Sequence, residues 1–197
     1  MRRKIDVLIL VLVLVAGFFA IKNAQTIGDR WHGMRYDPPA EVSTLATNAG
    51  MSDRGKQLFY RFSPQLVGQK ELDQRCTVEK LGCAEGRTIY ILNYLSEGQQ
   101  NQSAVTAAHE MLHIAYTRLS DQEKSDLEPL LQAEVTSAHG ANIAKKLQDY
   151  PQEGYYNEAH SYVGSELPDI SDKLEQYYKQ YFSNRSKSVD AYAESPR

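Results

Sequence analysis

The stretch VTAAHEMLHIAY, Val105 to Tyr116, places two histidines four positions apart, with a glutamate directly after the first. On an α-helix, His109 and His113 lie on one face and can present both imidazoles to one metal ion. Zinc binds neutral histidine nitrogen at about 2.0–2.1 Å and lowers the pKa of a bound water to about 7. Glu110 is rotated by about 100° from His109, so it is placed to take a proton from such a water. The pattern predicts a hydrolytic zinc centre with His109 and His113 as metal ligands and Glu110 as general base.

The other residues of this helix are apolar, which predicts that it is buried. They are Ala107, Ala108, Met111, Leu112 and Ala115. A buried pair of histidines beside a buried glutamate needs polar partners, and a metal ion supplies one. The alternative is that all three polar side chains are satisfied by hydrogen bonds within the core.

A catalytic zinc ion needs a third protein ligand and an open fourth position. Three and six positions beyond the second histidine stand Tyr116 and Leu119, which excludes the HExxHxxGxxH arrangement. Glu158 is the best candidate, because it falls on a predicted helix far enough along the chain to pack against the first. His139 and His160 are weaker candidates. His160 lies about 200° around that helix from Glu158, so the two should not face one ion.

The HEMLH sequence followed by Asn157-Glu158 resembles the gluzincin class of zinc metallopeptidases, and the long separation is closest to the HtpX-like and minigluzincin branch. The resemblance extends over roughly residues 87–166. It implies a zincin-like catalytic domain with a small sheet, which hydrolyses peptide bonds through a zinc-activated water. It also implies an upstream strand that forms the rim of the cleft and pairs with an extended substrate, and RTIYILNYL, Arg87 to Leu95, would match that strand.

The chain departs from the class four residues past the third ligand, where the class has an aspartate and this chain has Tyr162. That aspartate orients a ligand histidine, and Glu166 is a weak candidate to replace it. Peptide hydrolysis also needs a donor for the developing oxyanion. His160, Tyr155 and Tyr156 are near the third ligand in sequence, and Tyr162 and His160 are the favoured donors.

The first residues read as a membrane-targeting segment. Arg2, Arg3 and Lys4 precede an uncharged run at 7–21, which predicts that the cationic flank stays in the cytoplasm. The run is shorter than the roughly 17 residues of a full span. Residues 1–22 are therefore predicted to be a signal anchor or a signal peptide, and we favour the anchor. The alternative is a buried N-terminal helix. The prediction is a single-pass protein of the cell membrane with an extracytoplasmic domain, or a secreted one if the segment is cleaved.

Cys76 and Cys83, in CTVEKLGC, are the two cysteines of the chain. Export to an oxidising compartment favours a disulfide between them. Their spacing does not match the close cysteine pairs of zinc knuckles. The alternative is two free thiols.

Domain organisation follows from where helical and strand patterns begin and end. Residues 23–50 are predicted to be a spacer, residues 51–183 a mainly helical α+β domain, and residues 184–197 a flexible tail. The one predicted strand spans residues 87–95. The other predicted elements are helices, which begin after Ser52, Ser103 and Ser120 and at about residues 141, 153 and 170.

These observations favour a zinc-dependent endopeptidase whose partners are a peptide or protein substrate and a membrane. The net charge of −3 gives no basic excess, so nucleic acid is not a predicted partner. A catalytically inactive envelope module, with or without metal, that binds a partner is the alternative, because of Tyr162. A third option is metal-dependent hydrolysis of a bond other than a peptide.

Overall fold

The computed structural model describes residues 11–15, 17, 24–76, 81–94 and 99–195. Over these ranges the fold is mainly helical with one small sheet, which confirms the predicted α+β class. The helices are α1 (Ala24–Arg35), α2 (Ala40–Asn48), α3 (Asp53–Arg61), α4 (Gln69–Arg75), α5 (Gln100–Thr117), α6 (Asp121–Val135), α7 (Ala141–Leu147), α8 (Gln152–Glu166), α9 (Asp172–Tyr178) and α10 (Ser186–Glu194). The strands are β1 (Gln65–Val67), β2 (Gly82–Glu85) and β3 (Thr88–Leu92).

Most of the predicted membrane-targeting segment, residues 1–22, lies outside the described residues. Its described part, residues 11–15 and 17, is helical and exposed. Among the helices within the described ranges, none is long and apolar enough to cross a bilayer.

The sheet has the strand order β1-β3-β2, with β3 parallel to β1 and antiparallel to β2. The centre of the predicted strand at 87–95 is therefore confirmed as β3, whose Ile89 and Ile91 are fully buried. Because β3 is hydrogen-bonded on both sides, the expectation that it pairs with a substrate was wrong. The free edges belong to β1 and β2, two short strands that the sequence analysis missed.

A disulfide joins Cys76, directly after α4, to Cys83 on β2. The predicted pairing is thus confirmed, with 5.9 Å between the two Cα atoms. β2 and β3 form a hairpin whose turn contains Gly86 at φ +61°, a left-handed conformation that favours glycine. The disulfide and the hairpin together fix the position of the edge strand β2.

Helix α5 runs through the core, and contacts the sheet, α2, α3, α8 and α10. Its small residues Ala107, Ala108 and Ala115 are fully buried and let neighbouring helices approach closely. The helix begins at Gln100, one turn earlier than predicted. Ser103 is therefore an inner residue of the helix and not its N-cap. Its hydroxyl donates to the carbonyl of Leu92 at the end of β3 (2.8 Å).

Helices α5 and α8 pack against each other at Gly164. A Cβ atom at this position would lie 2.5 Å from Leu112 Cδ1 on α5 and 2.6 Å from the ring of Tyr178 on α9. These distances are shorter than any normal carbon contact, so the close approach requires glycine. Glu158 lies six residues earlier on α8, so this packing contact also sets its position relative to α5.

Two predicted helix starts are confirmed by their caps. The Ser52 hydroxyl accepts a hydrogen bond from the Gly55 amide (3.1 Å) at the start of α3. Ser120 and Glu123 form a reciprocal capping box at the start of α6. Both features are local, and this is why the sequence alone predicts them.

Both ends of the described chain differ from the sequence-based expectation. The predicted spacer at 23–50 contains α1 and α2, and Val42 and Leu45 of α2 belong to the core. The predicted flexible tail contains α10, and Val189 on it is buried. Arg185 holds the start of α10 in place by donating to the carbonyl of Leu167 (2.7 Å).

Candidate metal centre

Three side chains from α5 and α8 bring their polar atoms together. The Nε2 atoms of His109 and His113 are 3.0 Å apart. Glu158 Oε2 lies 3.5 Å from His109 Nε2, and its Oε1 lies 3.6 Å from His113 Nε2. The carboxylate of α8 therefore faces both imidazoles of α5, as the sequence predicts for a third ligand.

These distances fit a zinc ion. Around a tetrahedrally coordinated zinc ion with bonds of about 2.0–2.1 Å, the ligand atoms lie about 3.3–3.4 Å from one another. The three observed separations of 3.0, 3.5 and 3.6 Å bracket this value. Two imidazoles and one carboxylate are also a donor set that catalytic zinc uses. The side chains retain exposed fractions of 14% for His109, 18% for His113 and 11% for Glu158, so the cluster is not fully enclosed.

Glu110 belongs to the same cluster. Its carboxylate and the two histidines have ligand atoms within 4.8 Å of one another. The residue is only 6% exposed, although it carries a carboxylate. It stands beside the converging nitrogens rather than opposite them on α8, which is the position expected of a base that acts on a water at the centre.

Burial and the neighbouring His109 lower the pKa of His113, while Glu110, Glu158 and the side chain of Asn157 act in the opposite direction. His113 is therefore a neutral imidazole at neutral pH, which is the form that binds metal. Asn157 was part of the family resemblance without a role of its own. The structure places it close to His113, where its side chain acts to raise the pKa of that imidazole.

Tyr162 occupies the place of the class's aspartate and contacts His109 through its ring. The two ring centroids are 4.6 Å apart. Lys146 Nζ lies 4.6 Å from the centroid of the same tyrosine ring and pairs with Glu166 at 2.5 Å. Glu166 thus binds Lys146, and the contact with His109 is made by an aromatic ring in place of a carboxylate.

Tyr150 is a member of the site that the sequence analysis missed. Its hydroxyl lies near Glu158 and the hydroxyl of Tyr162, and both residues influence its pKa. Burial raises the pKa of both tyrosines, so both keep their protons at neutral pH. Tyr150 precedes α8 in a short connection, and no periodic pattern in the sequence marks such a position.

His160 lies away from this cluster. It is completely buried, with its Nε2 3.0 Å from the hydroxyl of Tyr177, and its carbonyl accepts a hydrogen bond from Tyr178 (2.8 Å). Burial lowers the pKa of His160 to about 3. We call His160 and the rings of Tyr116, Tyr177, Tyr178 and Tyr181 around it the aromatic cage. Enclosure in the cage gives a substrate no path to His160.

The remaining candidates from the sequence are also placed. His139 is exposed beyond the end of α6. Tyr155 and Tyr156 are half-buried on the first turn of α8, where their rings pack edge to face with centroids 5.2 Å apart.

Comparisons of the chain with protein-family models, with curated proteins and with solved structures give no match. The functional interpretation therefore depends on the chemistry of the cluster itself. Two imidazoles, two carboxylates and two tyrosine hydroxyls share one partly open site between α5 and α8.

Proposed function

We propose that this protein is a zinc-dependent endopeptidase with a gluzincin-like catalytic domain. The observation that carries the proposal is the convergence of His109 Nε2, His113 Nε2 and the Glu158 carboxylate within 3.0–3.6 Å. These three residues would hold the ion. When bound, zinc supplies Lewis acidity and makes a water molecule acidic enough to lose a proton near neutral pH.

Glu110 is the proposed general base. Its carboxylate lies in the cluster and is buried, so a proton taken from the attacking water is held close to the reacting atoms. The same carboxyl group then delivers the proton to the amine that leaves when the peptide bond breaks. General acid–base catalysis of this kind contributes about 10²–10⁴-fold to a rate.

Tyr150 and Tyr162 are the proposed source of oxyanion stabilisation. The Tyr150 hydroxyl lies near the Glu158 carboxylate and the Tyr162 hydroxyl. Tyr150 can direct its single proton to a negatively charged substrate oxygen beside it. Tyr162 would keep Tyr150 oriented and, through its ring, hold His109 in place.

Strand β2 is the proposed binding edge for an extended substrate. It is an edge strand, and it lies directly against α5, because a Cβ on Gly82 would be 2.6 Å from Thr106 Cγ2. Thr106 is one helical turn before His109. An added strand would obtain main-chain hydrogen bonds from β2 and pass near the cluster.

The proposed location is outside the cytoplasm, with residues 1–22 as a membrane anchor or a cleaved signal. The Cys76–Cys83 disulfide supports this location, since disulfides persist in oxidising compartments. The cationic residues before the uncharged run support the orientation.

The full chain, purified in detergent, tests the proposal through its zinc content and its cleavage of casein. The wild type should contain one zinc per chain and cleave casein, and Glu110→Gln should keep the zinc and lose about 10²–10⁴-fold in rate. Asp126→Gln, at an exposed carboxylate on α6, is the matched control and should change neither.

Two outcomes would contradict the assignment. Cleavage that is unchanged in Glu110→Gln would remove the proposed mechanism. One zinc per chain with no cleavage of any peptide substrate would instead support the non-catalytic, partner-binding alternative.

A further inference from the structure

The outward face of helix α1 exposes two large apolar side chains. Ile27 is 56% exposed and Trp31 is 52% exposed, and they lie four residues apart on one face. The opposite face is formed by Asp29 and Gly33, which are buried. The helix therefore uses a narrow face to contact the domain and presents its apolar residues to the surroundings.

Cationic side chains flank the same face. Arg30 and Arg35 are exposed, and the Arg35 guanidinium lies 4.3 Å above the centroid of the Trp31 ring. Tryptophan is enriched where a membrane meets water, since it has an apolar body and a polar N–H group. Arginine places its apolar stem along such a surface and its charge among lipid phosphates.

Helix α1 is fixed to the domain by a buried carboxylate. Asp29, 6% exposed, pairs with Arg61 of α3 at 3.2 Å and with Arg118, at the end of α5, at 2.8 Å. Close backbone packing adds to this, because a Cβ on Gly33 would lie 3.0 Å from the Gln57 backbone. The exposed face therefore has a fixed direction relative to the whole domain.

The position of α1 in the chain indicates what covers this face. The uncharged run at 7–21 ends three residues before α1 begins, and its described part at 11–15 exposes apolar side chains. A chain whose preceding segment enters a bilayer holds α1 near the lipid surface. The occupant consistent with an isoleucine, a tryptophan and two arginines at that place is the boundary between lipid headgroups and acyl chains.

We propose that α1 lies in the plane of the membrane surface, with Ile27 and Trp31 seated at the headgroup boundary and Arg30 and Arg35 directed to lipid phosphates. This second contact with the membrane, beyond the N-terminal segment, orients the domain through the Asp29 ion pairs. It rests on the proposed membrane location of residues 1–22 and is independent of whether the cluster on α5 and α8 binds zinc.

Trp31 provides the test, because it is the single tryptophan of the chain. The full chain would be reconstituted in phosphatidylcholine vesicles containing phosphatidylglycerol, and quenching of Trp31 fluorescence by brominated lipids would be measured. Lipids brominated near the headgroup end of the acyl chain should quench strongly, lipids brominated near the bilayer centre weakly, and the emission should be shifted to the blue.

Two variants that keep the tryptophan provide matched controls. Ile27→Asp should shift the emission back to the red and remove the quenching, while the chain stays with the vesicles through its N-terminal segment. His32→Asp adds the same charge to an exposed position off this face, and it should leave the quenching unchanged.

Two results would overturn the proposal. The first is a water-like emission of Trp31 that no brominated lipid quenches, with the protein bound to the vesicles. The second is a blue-shifted emission that lipids do not quench and that depends on protein concentration, which would assign the face to a second copy of the chain.

Discussion

Histidines lie in two regions on either side of α8, the candidate metal centre and the aromatic cage. The two regions differ in what surrounds the imidazole rings. His109 and His113 turn their Nε2 atoms toward each other at 3.0 Å and toward the Glu158 carboxylate, and they remain partly exposed. His160, two residues after Glu158, is fully enclosed in the aromatic cage and bonded to Tyr177. The same type of side chain is thus placed to hold the proposed ion in one region and is packed in the core in the other.

The difference teaches that burial of a histidine does not mark a functional site by itself. In the aromatic cage, the neutral ring of His160 binds the Tyr177 hydroxyl through its Nε2 atom and packs against other rings. In the candidate metal centre, donor atoms of His109, His113 and Glu158 converge, and all three side chains remain partly exposed. Convergence and access distinguish the two regions, and mutations can test each separately.

The largest expected effect comes from removing the third ligand. Glu158→Ala should abolish peptidase activity and weaken zinc binding by more than about 100-fold, beyond the 10–100-fold that outer partners of a metal site contribute. His160→Phe, in the aromatic cage, should leave zinc affinity within a few-fold of wild type. Competition with a chromogenic chelator measures both. Equal losses in the two variants would mean that the regions are not functionally distinct.

Removing one tyrosine hydroxyl from each region sharpens the comparison between the candidate metal centre and the aromatic cage. Tyr150→Phe removes the hydroxyl beside Glu158, and kcat should fall by about 10²–10³-fold while KM and zinc content stay the same. Tyr177→Phe removes the cage hydroxyl that bonds to His160 and should leave kcat unchanged. Steady-state kinetics on a fluorogenic peptide separates the two. A KM effect alone in Tyr150→Phe would limit that residue to substrate binding.

The sequence predicted the parts of the site that depend on one helix. His109, Glu110 and His113 stand on α5 as their spacing requires, and Glu158 faces them from α8 as a helical third ligand should. Tyr150 was missed because it lies between helices, where its position depends on how α7 and α8 pack. Placement of His160 in a cage also depends on tertiary packing.

The fold shows the same difference between local features, which the sequence predicts, and features that depend on tertiary packing. Capped and strongly patterned elements, such as α3, α6 and β3, were predicted. The strands β1 and β2 were not predicted, because their sequences, QLV and GCAE respectively, are too short and together too weakly β-forming to be recognised. Helix α2 was missed because it is only nine residues long and buries just Val42, Leu45 and Ala46, which is too few for a helical period to be recognised.

A substitution at the contact between the two regions should disturb both. Gly164→Ala places a methyl group within 2.5–2.6 Å of Leu112 on the metal-centre helix and the ring of Tyr178 in the cage. We expect a loss of about 1–3 kcal/mol in the free energy of unfolding and weaker zinc binding. Gly154→Ala, on the same helix with open space around it, should cost nothing. Urea denaturation checks both, and equal stabilities would contradict the proposed close packing.

The smallest effect is expected far from both regions. Ser120→Ala removes the N-cap of α6 and should lower the free energy of unfolding by about 1 kcal/mol without changing zinc affinity or kcat. Ser125→Ala, at an exposed position inside α6, serves as the control and should be neutral. A loss of zinc in Ser120→Ala would show that the metal centre responds to general stability and is not a local property of α5 and α8.

X-ray absorption at the zinc edge of the wild-type full chain tests the central claim most directly. The account predicts one zinc per chain with a shell of nitrogen and oxygen atoms at about 2.0–2.1 Å and the outer-shell scattering of two imidazoles. No sulfur should appear, since Cys76 and Cys83 are joined to each other. A chain that takes up no stoichiometric zinc, or zinc bound without imidazole, would contradict the account.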